Sequence, residues 1–195
     1  MLLNDITIRT AVKTDAAAIR EIYVPYVKVT AITFEYEAPS VAEFAARITQ
    51  VLQRYPFLVA EEAGRVAGYA YASAFRPRAA YDWAAETSIY LRQDLRGNGL
   101  GKGLYLLLED ILKQQNVLNL YACIAYTDQE DAHLTNASVA FHEHLGYKLN
   151  GQFQKCGYKF NTWYDMVWME KLIGEHRGQV PEVIPFAKVR AKFGI

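Results

Sequence analysis

The stretch LRGNGLGKG, Leu95–Gly103, decides how the rest of the chain is read. Glycine takes every second position, at 97, 99, 101 and 103. A β-rich run, AETSIYLR, comes immediately before it, and a leucine-rich amphipathic helix over Leu100–Gln115 follows. Glycines between a strand and a helix let backbone N–H groups approach a phosphate at the positive end of the helix dipole. Counting excludes two nucleotide motifs. A P-loop needs glycine six residues before its lysine, and for Lys102 that position is Arg96. A dinucleotide fingerprint needs glycine at its first, third and sixth positions. Counted from Gly97 the sixth residue is Lys102, and from Gly99 it is Leu104.

The rest of the chain fits one folded domain. Its 195 residues are 52% hydrophobic and 22% charged, a balance that supports a core rather than disorder. Twenty-one basic residues offset twenty-one acidic ones, so no basic excess points to nucleic acid or an anionic membrane. Cys123 and Cys156 form no CxxC motif, no metal is expected, and no run is long and apolar enough to span a bilayer. MLLNDITIRT lacks the basic and apolar regions of a leader, so a cytoplasmic protein is expected.

Elements follow from periodicity and punctuation. DITIRTAV alternates as a strand. Thr14 or Asp15 starts a helix through AAAIREIYVPYV, which Pro25 is expected to kink or end. Ser40 and Glu43 form a capping box for a second helix over 41–54. FLVAEEAGRVAGYAYASAF reads as a hairpin turning near Gly64. LNLYACIAY is a strand, and Thr135–Leu145 is a helix stopped by Gly146. Two antiparallel strands close the pattern, which fades after Leu172. The order is β-α-α-β-β-β-α-β-α-β-β, an α/β or α+β domain with a mixed sheet over 1–173 and a C-terminal extension over 174–195.

Arg96-x-x-Gly99-x-Gly101 matches the R/Q-x-x-G-x-G/A pattern of the GNAT superfamily of acyl-CoA-dependent N-acetyltransferases, and the element order is similar. With FRPRAAYDWAAETSIYL, ASVAFHEHLGY and GYKFNTWYDMVWM, the chain resembles the phosphinothricin N-acetyltransferase family, which also acts on methionine sulfoximine and methionine sulfone. The resemblance implies acetyl-CoA as co-substrate, a small amino-acid acceptor and a homodimer. Its pyrophosphate would lie on Arg96, Gly97, Asn98, Gly99, Leu100, Gly101 and Lys102. Its pantetheine would run along Ser88, Ile89, Tyr90 and Leu91, where one amide polarises the thioester carbonyl.

Glu86 matches the family's glutamate and is the expected general base. His142 stands in the slot of the usual thiolate-protonating tyrosine, with Tyr147 as the other donor. Ser138 matches the family's serine, and the asparagine contact to pantetheine falls to Asn136 or Thr135. Arg76 and Arg78, around Pro77 and followed by Tyr81, suit an acceptor anion, and Phe34 and Glu35 would close over its side chain. A peptide or lysine acetyltransferase and a non-catalytic acyl-CoA sensor are the competing readings.

Overall fold

Strand β3, Arg65–Ala74, carries the segment Tyr69-Ala70-Tyr71-Ala72. Successive side chains on a strand point to opposite faces. One face of the sheet is therefore tyrosine and the other alanine. The computed structural model describes residues 6–195. Met1–Asp5, where the leader was sought and where the first strand was expected to begin, lie outside the described residues.

Seven strands form one sheet in the order β1-β2-β3-β4-β5-β7-β6, with β1 at Ile6–Thr10, β2 at Phe57–Glu62, β4 at Ala84–Leu91, β5 at Asn119–Tyr126, β6 at Lys148–Lys159 and β7 at Thr162–Leu172. Every pairing is antiparallel except β4 with β5. That mixed α/β sheet and the element order are those expected from the sequence. The β2–β3 turn uses Ala63 (φ 50°) and Gly64 (φ 75°), both in the left-handed region that tight hairpins need.

Helices α1 (Ala16–Val29) and α2 (Val41–Leu52) cover the tyrosine face, packing Tyr23, Tyr26, Phe44 and Ile48 against Phe57, Val59 and Tyr69. The capping box is present: Glu43 N–H donates to Ser40 Oγ at 3.2 Å, and Ser40 N–H to Glu43 Oε2 at 2.7 Å. Pro25 does not end α1, which continues to Val29. Tyr26 and Val27 are buried beyond the proline, and their burial carries the helix past the hydrogen bond that proline cannot donate.

Helix α3 (Leu100–Gln114) lies on the alanine face, with Leu104, Leu108, Ile111 and Leu112 fully buried over Ala70, Ala72, Ala85 and Ala122. Helix α4 (Ala137–His144) precedes β6, and Gly146 ends it at φ 88°. The C-terminal residues pack on their own chain. Phe186 and Val189 of the short helix α5 (Phe186–Val189) enter the α3 core. The buried Gln115 amide donates to Arg54 O and Ile184 O, each at 2.7 Å. Among the described residues no helix is long and apolar enough to cross a membrane.

Candidate active site

Strands β4 and β5 pair only over Ala84↔Asn119, Ala85↔Leu120 and Glu86↔Tyr121. Beyond Glu86 they diverge and leave a cleft of about 60 Å³, lined by residues 87–90, 122–125, Thr135, Ser138, Tyr105 and His142. Arg92 N–H donates to Ala67 O on the β3 side, while Leu91 N–H is taken by Tyr26 Oη at 3.2 Å on the other side. The alternation of a strand then turns the Ile89 N–H toward the cleft as well.

The glycine loop stands at one end of β4. Gly97 and Gly99 have φ of 81° and 88°, and a Cβ on either would meet nothing within 4 Å, so glycine serves their conformation. Gly101 serves packing instead. A Cβ there would lie 3.3 Å from Leu91 and 3.4 Å from Phe141. Gly99 is the N-cap of α3 and supplies no side-chain cap, and Asn98 Oδ1 accepts from Leu100 N–H at 3.1 Å. The amides of the first turn after Leu100 face outward with the positive end of the helix dipole. Arg96 lies over the Tyr26 ring at 5.1 Å, and Lys102 is exposed. This set of amides and cations fits a pyrophosphate.

Glu86 is half-buried at the point where β4 and β5 part, and its cross-strand neighbour on β3 is Ser73. Burial raises its pKa above the ordinary carboxylate value, and Arg76 opposes the rise. The two loop arginines are not equivalent. Arg76 stacks over Phe75 (4.5 Å) and Trp168 (5.4 Å), within electrostatic reach of Glu86. Arg78 is exposed at the start of a short 3-10 turn. Tyr81, 39% exposed, packs edge-on to Phe75. Phe34 presses against Gly157 of the β6–β7 hairpin, where an added Cβ would fall 2.3 Å from its ring.

His142 departs from the expected role. Its Nδ1 lies 2.7 Å from Ser138 O and its Nε2 2.8 Å from Tyr105 Oη. A carbonyl oxygen can only accept, so the neutral ring carries its proton on Nδ1, and the single Tyr105 hydroxyl proton is shared between Nε2 and Thr87 Oγ1, 3.1 Å away. Burial lowers the pKa of His142 to about 4, so the ring is neutral near pH 7 and has no N–H to deliver into the cleft. The hydroxyl placed between imidazole and cleft is Tyr105, a residue the sequence reading missed. Its signal was position: Tyr105 sits one helical turn after Gly101. Tyr147 lies behind β4, 3.4 Å from Thr87 Oγ1, and does not line the cleft.

Asn136 also differs from expectation. Its amide is engaged by Thr127, accepting from N–H at 3.3 Å and donating to O at 2.8 Å. That clamp ties the loop to the end of β5, and Thr135 and Ser138 are the residues left facing the cleft.

A second opening lies on the tyrosine face. A cavity of about 420 Å³ between α2 and the sheet is lined by Tyr23, Phe44, Arg47, Tyr55, Tyr71 and Ser73, among others. Arg47, one of its lining residues, donates to Glu35 Oε1 at 3.2 Å. Arg47 was also missed, although its spacing from Phe44 and Val51 places it on the inward edge of α2.

The acetyltransferase (GNAT) domain model matches residues 8–168. A phosphinothricin N-acetyltransferase of Streptomyces viridochromogenes is 32% identical over 166 residues, covering 85% of this chain and 87% of that protein. An L-methionine sulfoximine/L-methionine sulfone acetyltransferase of Salmonella typhimurium is 32% identical, covering 87% and 96% respectively. Among solved structures, a GNAT superfamily phosphinothricin acetyltransferase from Sinorhizobium meliloti in complex with AcCoA aligns with a TM-score of 0.83 at 36% identity, over 93% of this chain and 97% of that one.

Proposed function

The chain belongs to the GNAT acetyltransferases and is an acetyl-CoA-dependent N-acetyltransferase, and from that premise we propose that its acceptor is a small amino acid of the phosphinothricin, methionine sulfoximine and methionine sulfone type, with Glu86 as general base. The observation that carries this is the position of Glu86: half-buried where the cleft between β4 and β5 meets the tyrosine face, beside Arg76. An amino acid arrives largely as an ammonium, since α-amino groups titrate near about 8. A carboxylate of raised pKa at that point takes up the proton and frees the nitrogen lone pair.

Acetyl-CoA supplies the acetyl thioester. Arg96, the amides of 97–102 and Lys102 hold its pyrophosphate, and Thr135 and Ser138 take the pantetheine in place of Asn136. The Ile89 N–H supports the developing oxyanion. Tyr105 Oη, placed by neutral His142 and Thr87, carries the hydroxyl proton that turns from them to the leaving sulfur. Arg76 rather than Arg78 steadies the acceptor carboxylate. Phe34 and Tyr81 close its flanks.

Residues 174–195 act as a structural extension of this domain. The same reading includes a cytoplasmic homodimer formed through the last hairpin, where Leu149, Phe153 and Trp163 are 59%, 52% and 58% exposed. Sedimentation of the purified protein tests the dimer, and a monomer at micromolar concentration rejects it.

Incubation with acetyl-CoA and a panel of acceptors tests the function. CoA release is expected with methionine sulfoximine, methionine sulfone or phosphinothricin, and not with peptides carrying a free N-terminus or lysine. Turnover on peptides alone gives the site to the competing protein-acetylating reading. Acetyl-CoA binding without turnover on any amine gives it to the sensor.

A further inference from the structure

The loop that carries Arg76 runs from Phe75 to Trp83, between the end of β3 and the start of β4. Its two ends are fastened differently. At the first, the Phe75 ring stacks on Tyr121 of β5, with centroids 4.2 Å and planes 21° apart, and stands edge-on to Trp168 of β7 at 5.5 Å. The Arg76 guanidinium lies over Phe75 and Trp168, so the place of those rings decides the place of the cation. At the second, Trp83 O accepts from Leu118 N–H at 2.8 Å and from Asn119 N–H at 3.1 Å.

Residues 174–182 of the C-terminal extension reach both ends, and they lie outside the residues that the family model matches. Trp83 Nε1–H donates to Pro181 O at 2.8 Å. His176 Nε2 lies 2.8 Å from Asn119 Oδ1, and since that carbonyl oxygen only accepts, the imidazole donates. The donor is present in the neutral Nε2–H tautomer and in the imidazolium alike. Asn119 Nδ2 donates in turn to Oη of Tyr121 at 3.4 Å, the ring stacked on Phe75. Between loop and extension a cavity of about 300 Å³ remains, lined by Phe75, Tyr81, Trp83, Tyr121, His176 and Val180, among others. Close packing does not fix the loop across that gap, so these polar ties and stacked rings do.

We propose that this part of the extension braces the Arg76 loop: His176, through Asn119 and Tyr121, and Pro181, through Trp83, hold the Arg76 guanidinium in place at Glu86. These are positioning residues, and they act only through the cation. The inference rests on the reading above, in which Glu86 is the base and Arg76 steadies the acceptor carboxylate. The titratable groups in electrostatic reach of the Glu86 carboxyl are Arg76 from this loop, Tyr71 from β3, Cys123 from β5 and Tyr105 from α3. Of these four only Arg76 is a cation, so a displaced loop removes the one group that favours ionised Glu86.

The test measures kcat/KM against pH, and the KM of each substrate, in Trp83→Phe, His176→Ala, His176→Gln and Arg76→Ala. The acceptor is whichever of methionine sulfoximine, methionine sulfone and phosphinothricin the wild type turns over fastest. Trp83→Phe removes one neutral hydrogen bond and should raise the acceptor KM about twofold to tenfold. The acid limb of kcat/KM, where Glu86 takes up its proton, should move to higher pH, in the direction of Arg76→Ala and by less. The KM for acetyl-CoA should hold. His176→Ala should act the same way, and His176→Gln, which keeps an N–H donor, should restore wild-type values. In the Arg76→Ala background neither Trp83→Phe nor His176→Ala should add to the loss. His176 is exposed, so its variants keep the test open if Trp83→Phe fails to fold. If Arg76→Ala shifts the limb and the acceptor KM while Trp83→Phe and His176→Ala shift neither, the brace is wrong and the acceptor reading stands. Losses that add in full to that of Arg76→Ala also overturn it. If Arg76→Ala changes neither, or no acceptor turns over, the reading above falls and the brace with it.

Discussion

The two faces of the sheet are built from the same strands and do opposite work. Beneath α3 the strands present Ala70, Ala72, Ala85 and Ala122, all at most 1% exposed. Small side chains let the helix settle close, and leucines and an isoleucine fill most of the interface, with Tyr105 and Glu109 as the buried polar groups of α3. Beneath α1 and α2 the same strands present Tyr69, Tyr71 and Tyr90. Tyr90 packs against Tyr23, Tyr26 and Tyr69 with centroids 4.9, 5.1 and 5.4 Å apart. Rings hold the helices off and bring hydroxyls to the rim, so a cavity remains on this side. Apolar packing is concentrated on the alanine face, the tyrosine face holds Glu86 and the open cavity, and the cofactor cleft opens where β4 and β5 part between them. Substitutions on each face should therefore move different observables.

The largest separation comes from Glu86→Gln. Loss of a general base is worth about 10²–10⁴ in rate, so kcat should fall by that range while the KM for acetyl-CoA holds. Stability should move the other way. Burial raises the folded pKa of Glu86 above its unfolded value, so the native state pays for the charge once pH exceeds the unfolded carboxylate pKa. The Gln variant is therefore expected to melt slightly higher than wild type at pH 7, with the difference vanishing below about pH 4. A variant that keeps wild-type kcat removes Glu86 as base. One that melts lower at pH 7 contradicts the burial argument.

Leu108→Ala probes the other face. A buried leucine cut to alanine costs about 2–5 kcal/mol, and Leu108 is fully buried in the α3 core. Urea unfolding should show that loss with kcat/KM close to wild type in the fraction that remains folded. Tyr71→Phe is the matched control on the tyrosine face. It should cost less stability and more kcat/KM. If the two variants behave alike, the division of labour fails.

His142 sits between α3 and α4 at the cofactor cleft, and its effect is set by pH. Its folded pKa is about 4 against an unfolded value near 6.5. Below 6.5 the unfolded chain takes a proton that the native ring refuses. Stability is therefore whole above pH 6.5 and declines as pH falls toward 4, by up to about 3 kcal/mol. The unfolding free energy of the wild type should drop more steeply over that window than that of His142→Phe. Equal slopes would place the ring in contact with water.

The difference between the faces was partly written in the chain. GYAYAS states both faces in six letters, and Ser40 with Glu43 marks the start of α2 without tertiary knowledge. The glycine loop was readable because its constraints are local: two positive φ values and a helix start. What could not be read depends on distant partners. The divergence of β4 from β5 needs two strands separated by a whole helix, and pairing stops after three residues. The proton on His142 is fixed by Ser138 O and Tyr105 Oη together. Asn136 looked free for a cofactor because Thr127, which occupies it, folds back from the end of β5. Pro25 was overweighted because a local rule yields when the residues after it are buried.

The smallest expected effect is the sharpest test within the tyrosine face, because it separates two arginines that the sequence leaves equal. Arg76 lies over Phe75 and Trp168 and lowers the pKa that burial has raised on Glu86. Arg78 is exposed at the head of a 3-10 turn. Catalysis needs ionised Glu86, so kcat/KM falls on the acid side as pH passes below its pKa. Without the Arg76 cation that pKa rises further, and the acid limb of the profile should move to higher pH in Arg76→Ala. The acceptor KM should rise as well, since the same guanidinium steadies the acceptor carboxylate. Arg78→Ala should leave the limb in place, because of the two exposed loop arginines only Arg76 acts on the Glu86 carboxyl. A limb that shifts equally in both variants would mean that the loop acts as one diffuse positive field, and the specific pairing of Arg76 with Glu86 would be lost.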